Sequence, residues 1–120
     1  MIEPIEAPEG VIAFRAVGEV HSGDYESVLR PAVAAARERG PVRLVYVLGP
    51  EFEGYSAGAS LQDAKLGLDH PRSWERIALV TSHDWVRRGL EAFAWIIPGK
   101  VETFELDQLE AALGWAAADD

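Results

Sequence analysis

Cysteine is absent from the 120-residue chain, so the sequence contains neither a disulfide framework nor a thiolate site. This fits a reducing compartment. The chain also lacks a long hydrophobic run, because no window approaches the roughly 18 consecutive apolar residues of a membrane span. The first ten residues contain two prolines, three acidic residues and no basic residue, so no signal peptide is expected. We therefore expect a cytoplasmic protein without integral membrane contact.

Positive charge is scarce as well. Eleven Lys and Arg residues stand against twenty Asp and Glu residues, which gives a net charge of −9. Arg87 and Arg88 form the only basic doublet, so the phosphates of nucleic acids would be repelled and no nucleic-acid partner is expected. Glu51, Glu53 and Asp63 form a loose acidic cluster without a histidine at helical spacing, and no glycine-rich phosphate loop is present. Neither a metal nor a cofactor is expected.

The residues that are present predict one α/β domain spanning residues 1–120, since 48% of the chain is hydrophobic and no linker interrupts it. Apolar runs and helical periodicities follow the order β-β-α-β-α-β-α-β-α. An initial hairpin followed by helical crossovers indicates a mixed, mostly parallel sheet of five strands with about four helices. The strands are predicted at residues 2–5, 11–20, 42–48, 75–81 and 100–106, and the helices at 22–39, 56–68, 84–97 and 107–116.

Local signals predict where the helices begin, end or distort. Pro31 lies inside the first helix and predicts a kink or break before it, because proline has no N–H and clashes with the preceding turn. Gly40 is predicted to end that helix. Capping residues are predicted at the other three helix starts: Ser56 for the second, Ser82 or Asp84 for the third, and the pair Asp107 and Glu110 for the last.

Residues 54–58 read GYSAG, which matches the G-x-S-x-G nucleophile elbow of serine hydrolases. An elbow serine follows its strand almost directly, whereas a loop over residues 49–55 is predicted before Ser56. A triad also requires an acid and then a histidine further along the chain. His70 lies at the far end of the helix that Ser56 begins, and no histidine follows His83. We therefore expect no enzymatic activity and interpret Ser56 as an N-cap, worth about 1 kcal/mol.

Four stretches distributed over the chain carry a family resemblance: GEVHSGDYE, LVYVLGPEFEGYSAG, WERIALVTSHDW and AFAWIIPGKVETF. Together they resemble the SpoIIAA-like family, which shares the fold of STAS domains such as anti-sigma-factor antagonists and is similar to the lipid-binding CRAL-TRIO fold. In antagonist STAS domains, a serine at the start of the second helix is phosphorylated within an Asp-Ser-Ser-Gly-type stretch. Ser56 and Gly58 match that stretch, whereas Tyr55 and Ala57 depart from it.

A surplus of aromatic and apolar residues surrounds the edge of the sheet where ligands of α/β folds gather. Tyr55 and Trp85 lie in or beside the two segments that follow buried strands, and the third predicted helix is apolar on more than one face. One interpretation is a homodimer or helix contact through that third helix. The other is an apolar lining for a small ligand, in which Arg87 and Arg88 meet an acidic head group. The candidate lining residues are Phe52, Tyr55, Ser56, Trp85, Gly89 and Phe93.

The sequence and the resemblance together favour a non-enzymatic binding module. Its expected partner is a small apolar or amphipathic, lipid-like molecule beside residues 49–56 and the third predicted helix. The alternative is a regulatory protein-interaction module of the anti-sigma-factor-antagonist type, in which Ser56 is a contact or a phosphorylation site.

Overall fold

The computed structural model of the protein describes residues 1–56, 58, 71–94 and 99–118. Five strands form one sheet whose spatial order is the same as their order along the chain. The first two strands are antiparallel, and every later neighbour is parallel. This confirms the predicted α/β class and the mixed, mostly parallel sheet. The strands are β1 Ile2–Pro4, β2 Ile12–Val20, β3 Val42–Tyr55, β4 Trp74–Thr81 and β5 Lys100–Phe104.

Three helices accompany the sheet in the described part of the chain. Helix α1 follows β2 and consists of an α-helical turn, Ser22–Asp24, a π-helical segment, Tyr25–Leu29, and a regular α-helix, Arg30–Arg39. Helix α2 is Asp84–Ala94, and helix α3 is Leu109–Ala117. Short 3₁₀ turns, Pro71–Ser73 and Leu106–Gln108, precede β4 and α3.

Helix α1 continues through Pro31, and the predicted irregularity is the π-helical segment just before it. The N–H of Arg30 donates to the carbonyl of Tyr25, a wider turn than in an α-helix. Helix α1 then ends at Gly40, as predicted, where φ is 145°.

Each face of the sheet buries its own apolar cluster. Alternate residues of the strands supply the two faces, as the two-residue period of a strand requires. On the first face Tyr25, Leu29 and Val33 of α1 cover the sheet, and Val86 and Leu90 of α2 pack beside them. On the second face α3 covers β3 and β4, with Ala112 and Ala116 fully buried. Val11, which directly precedes β2, also belongs to the second face, and the strand residues there are Ala13, Val45, Val47, Ala78 and Val80.

Two arginines hold the carboxyl end of α3 against the sheet. Arg76 is 4% exposed; its Nη1 donates to the carbonyl of Trp115 at 2.7 Å, and its guanidinium lies 5.0 Å from the centre of the Trp115 ring. Arg43 donates to the carbonyls of Ala116 and Ala118. Both cations lie where the helix dipole is negative, so they stabilise the helix end as well as its position.

Three sequence predictions were wrong in detail. The segment 49–55 is not a loop, because β3 continues to Tyr55 and pairs there with the long β2. The capping box of the last helical segment is formed by Glu105 and Gln108 rather than by Asp107 and Glu110. Finally, the predicted cap of the third helix was Ser82 or Asp84. Because α2 begins at Asp84, the residue directly before the helix is His83 instead. The carbonyl of His83 accepts the N–H groups of Val86 and Arg87.

Some predictions lie outside the described residues. The second predicted helix lies outside them except for Ser56 and Gly58, and so do Asp63 and His70. The end of the third predicted helix, residues 95–97, and the side chain of Phe93 also lie outside them.

Candidate functional site

The candidate site lies at the edge of the sheet where the parallel strands end. Strand β3 pairs with β4 only as far as Leu48, which is opposite Thr81. It then extends through seven more residues, of which Phe52, Gly54 and Tyr55 pair with β2, and Tyr55 lies opposite Val20. This overhang, residues 49–55, leaves room beside it for the turn that connects β4 to α2.

Bulges in the overhang bring two aromatic side chains together. From Ala16 to Val20 on β2, the opposite strand advances from Leu48 to Tyr55, so β3 contains three extra residues. Phe52 and Tyr55 are three positions apart and would lie on opposite faces of a regular strand. Their rings nevertheless contact each other, with centres 5.1 Å apart, because the register skips Glu53.

Gly54 makes this bulge possible. Its φ of 119° belongs to a region that side chains with a Cβ rarely adopt. A bulge at such a glycine turns the strand and redirects the side chain that follows, here Tyr55. The glycine of the GYSAG segment therefore has a structural role at this point, independent of any hydrolase chemistry.

Five rings from three parts of the fold form one aromatic cluster: Tyr25, Phe52, Tyr55, His83 and Trp85. Phe52 is at its centre. The rings of Tyr55, His83 and Trp85 lie 5.1, 5.5 and 5.9 Å from it. Helix α1 contributes Tyr25, whose ring centre is 6.4 Å from that of Tyr55.

Exposure rises steeply across the aromatic cluster. Tyr25 is 0% and Phe52 is 5% exposed, whereas Trp85 is 54% exposed. Tyr55 and His83 are half-buried between these extremes. The cluster is therefore anchored in the first apolar core and opens to solvent at Trp85. An exposed tryptophan in continuous contact with a buried aromatic core differs from a scattered surface residue and is a candidate contact surface.

Hydrogen bonds fix the turn that carries His83 and Trp85. Thr81 is fully buried, and its Oγ1 donates to the carbonyl of Leu48 at 2.9 Å. The same Oγ1 accepts the N–H of His83 at 3.0 Å. The Nε2 atom of His83 lies 3.3 Å from the carbonyl oxygen of Gly49, so the imidazole bridges the turn and the overhang of β3. The turn before α2 is thereby tied to β3, and the His83 ring is held against it.

Arg87 anchors the first turn of α2 and is already engaged. Its Nη2 donates to the carboxylate of Glu105 at 2.8 Å and also to the carbonyl of Thr81. Its Nη1 lies 3.5 Å from the carboxylate of Asp84. The expectation that Arg87 meets an acidic head group therefore needs revision, since this side chain joins the ends of β4 and β5. Arg88 is exposed.

Ser56 follows β3 directly, whereas Gly89, another predicted lining residue, lies on α2. The N–H of Ser56 donates to the carbonyl of Val20 at 2.9 Å, which closes the edge between β2 and β3. Close beside it, a Cβ placed on Gly58 would lie 3.3 Å from the Cβ of Ser22. Gly89 is exposed on α2, and a Cβ there would meet no described atom within 4 Å.

The geometry changes one argument about the hydrolase motif. The predicted seven-residue separation between strand and serine does not exist, since Tyr55 ends β3 and Ser56 comes next. The order of residues along the chain is unaffected, and no histidine follows His83. The Nε2 atom of His83 contacts the carbonyl of Gly49. Absence of enzymatic activity remains a prediction.

The described residues contain neither a metal-binding cluster nor a membrane-spanning helix. Within residues 1–56, 58, 71–94 and 99–118, no three His, Asp or Glu side chains come close enough to hold a metal ion. In the same part of the chain, no helix has the length and apolar character needed to span a membrane.

The sequence predicted that Phe52, Tyr55 and Trp85 lie together. The structure adds Tyr25 and His83, which were not predicted to belong to this group. Tyr25 belongs to the apolar stripe of α1, and the signal that it lies at this edge is its place four residues after His21, near the end of β2. His83 was considered only as a catalytic base. Its position between a buried strand and a tryptophan, in the segment TSHDW, was the available signal.

Comparison with known proteins now assigns the fold to a family. The SpoIIAA-like family model matches residues 11–117. The chain belongs to the SpoIIAA-like family. Among solved structures, an uncharacterized protein with a SpoIIAA-like fold from Shewanella loihica PV-4 is similar. It shares 25% sequence identity and a TM-score of 0.72, over 98% of this chain and 93% of the other. The search of curated proteins found no match.

Proposed function

We propose that this SpoIIAA-like protein is a non-enzymatic binding module for a small apolar or amphipathic molecule. The observation that supports the proposal is the aromatic cluster, which runs from the buried Tyr25 to the half-exposed Trp85 at the carboxyl edge of the sheet. Ligands of open α/β sheets bind at this edge. Burial of apolar surface would give the affinity, at about 25 cal/mol per Å².

The arrangement suits binding better than a packing role alone. Trp85 is stacked on Phe52 at an angle of 26°, and more than half of its surface is free for a ligand. The hydrogen bonds of Thr81 and His83 hold the turn in place, so little conformational freedom is lost when a ligand arrives.

A fluorescent apolar probe tests this proposal directly. N-phenylnaphthylamine is neutral and becomes brighter in apolar surroundings. We expect the wild-type protein to bind it and the Trp85→Ala variant to bind it at least about tenfold more weakly, because loss of an aromatic contact surface costs about 1.5 to 3 kcal/mol. The variant should keep its circular dichroism spectrum, and its unfolding midpoint should fall only modestly, because Trp85 is 54% exposed and loses chiefly its stacking on Phe52.

A neighbouring variant supplies the control. Arg88→Ala changes an exposed residue of the same helix and should leave binding of this neutral probe unchanged. Equal binding by the wild type and Trp85→Ala would reject the site. A wild-type protein that is a dimer through α2, and that becomes monomeric in Trp85→Ala without binding the probe, would assign the exposed tryptophan to self-association.

A second candidate function is regulation through Ser56. One observation favours it: Ser56 lies between the end of β3 and the helical residue Gly58. A phosphate at a helix start meets free N–H groups and a favourable dipole. A covalent phosphate on Ser56 in protein isolated from its own host would support this function.

A further inference from the structure

The two rings at the open side of the aromatic cluster are perpendicular to each other. The planes of Tyr55 and Trp85 meet at 88°, with ring centres 6.4 Å apart. Trp85 is 54% exposed and Tyr55 is half-buried. Perpendicular aromatic rings form the walls of sites that bind organic ammonium groups, because the negative face of each ring attracts a cation. The same chemistry occurs elsewhere in this chain, where the guanidinium of Arg76 lies over Trp115.

Charge is distributed unevenly over the molecule, and the site lies in its negative part. The segments at the carboxyl edge of the parallel strands contain seven carboxylates and two arginines, and the N-terminal ammonium of Met1 lies among them beside Asp24, which gives a net charge of −4. Those segments are residues 19–24, 49–56, 81–88 and 104–107. The segments at the opposite edge contain six basic and four acidic residues, a net charge of +2. They are residues 4–11, 37–43, 71–76 and 99–101.

One of the two arginines at the negative edge, Arg87, is already bonded to other groups of the protein. Arg87 donates to Glu105 and to the carbonyl of Thr81, and it lies near Asp84. Its positive charge is thus matched by carboxylates of the protein. The other arginine of these four segments is Arg88, which is exposed and lies three residues after Trp85 on α2. An acidic head group would meet a strongly negative edge, whereas a cation would be attracted to it.

We propose that the ligand is an amphiphile with an organic ammonium head group and a net positive charge. The ammonium lies against Tyr55 and Trp85, and the apolar tail lies along the exposed side of the aromatic cluster. This inference rests on the proposed function, since it names the class of molecule that the same site selects. It reverses the earlier expectation of an acidic head group.

A series of molecules with one tail and different head groups tests the inference. Octyltrimethylammonium, octanol, octyl sulfate and octylphosphocholine are titrated calorimetrically at low ionic strength, each below its micelle concentration. Octyltrimethylammonium should bind about three- to thirtyfold more tightly than octanol, which corresponds to about 0.7 to 2 kcal/mol for a cation over aromatic rings. Octyl sulfate should bind most weakly, and the zwitterionic octylphosphocholine should fall below the simple ammonium.

Two variants separate the aromatic contribution from the electrostatic one. Trp85→Leu should reduce binding of octyltrimethylammonium several-fold more than binding of octanol, because leucine keeps apolar contact but has no π face. Arg88→Gln should strengthen binding of the ammonium at low salt and leave octanol unchanged. The preference for the ammonium should shrink as salt rises, since exposed charges are screened over about 10 Å at 0.1 M.

The outcomes distinguish the inference from the proposed function. If octanol or octyl sulfate binds as tightly as the ammonium, or if octylphosphocholine matches it, the cationic ligand class is wrong while a binding site for amphiphiles remains. If no member of the series and no neutral probe binds, the proposed function fails together with the inference.

Discussion

At the scale of single residues, the site depends on a glycine as much as on its aromatic rings. Phe52 and Tyr55 share one face of the sheet only because Gly54, at a φ of 119°, lets β3 bulge between them. The sequence predicted that aromatic residues would gather at this edge. It did not predict the bulge, because the GYSAG pattern was taken as a motif of residue types and not of backbone angles.

Gly54→Ala tests this dependence. An added Cβ meets no described atom within 4 Å, so the cost arises from the backbone conformation alone. We expect the free energy of unfolding to fall by about 1 to 3 kcal/mol, and we expect N-phenylnaphthylamine to bind more weakly, because relief of the strain would redirect Tyr55. Urea denaturation and fluorescence titration measure the two effects.

Gly89→Ala is the matched control for that variant. Gly89 lies on the exposed surface of α2 and its added Cβ also has space. Alanine in the interior of a helix should stabilise the protein by up to about 1 kcal/mol. If Gly54→Ala lowers the free energy of unfolding and Gly89→Ala raises it, the loss at Gly54 arises from its backbone conformation. Equal free energies of unfolding in the two variants would contradict the account of the bulge.

At the scale of secondary-structure elements, the site is formed where three strand ends and two helix starts are held together. β3 extends past β4, and the turn after β4 occupies the space beside the overhang through Thr81 and His83. Arg87 then joins that turn to Glu105 after β5. The sequence indicated the strands from their apolar runs. The overhang was not predictable from composition, since Gly49, Pro50 and Gly54 are typical of loops.

The bonds of Arg87 differ in burial, and variants should separate them. Arg87→Met leaves the carbonyl of the buried Thr81 without this donor, and an unsatisfied buried acceptor costs about 1 to 3 kcal/mol. Glu105 is 59% exposed, so Glu105→Gln should cost less than about 1 kcal/mol. Urea denaturation at low and high salt measures both losses.

Salt provides the control for this pair. The small effect of Glu105→Gln should disappear at 1 M salt, where the screening length is about 3 Å. Most of the effect of Arg87→Met should persist, because the bond to the Thr81 carbonyl is not an ion pair. If both losses vanish together in high salt, Arg87 acts as a surface ion pair only and does not position the turn.

At the scale of the whole molecule, the sequence predicted more of the fold than of the site. Periodicity and strand composition gave the order of elements and the parallel sheet, since both depend on patterns that recur over many residues. Net charge was known from composition, but its separation between the two edges became visible only when the strand directions were known. The contacts of Tyr25 and His83 depend on which chain segments meet in space, and single-sequence patterns do not contain that information.

The central claim is that the aromatic cluster holds a small molecule, and native mass spectrometry of the protein purified from its own host tests it most directly. We predict a non-covalent adduct of a few hundred daltons on the wild-type chain that is lost on denaturation and is absent from the Trp85→Ala variant prepared in the same way. A wild-type chain of bare mass would contradict the account. So would an adduct that the Trp85→Ala variant retains in full.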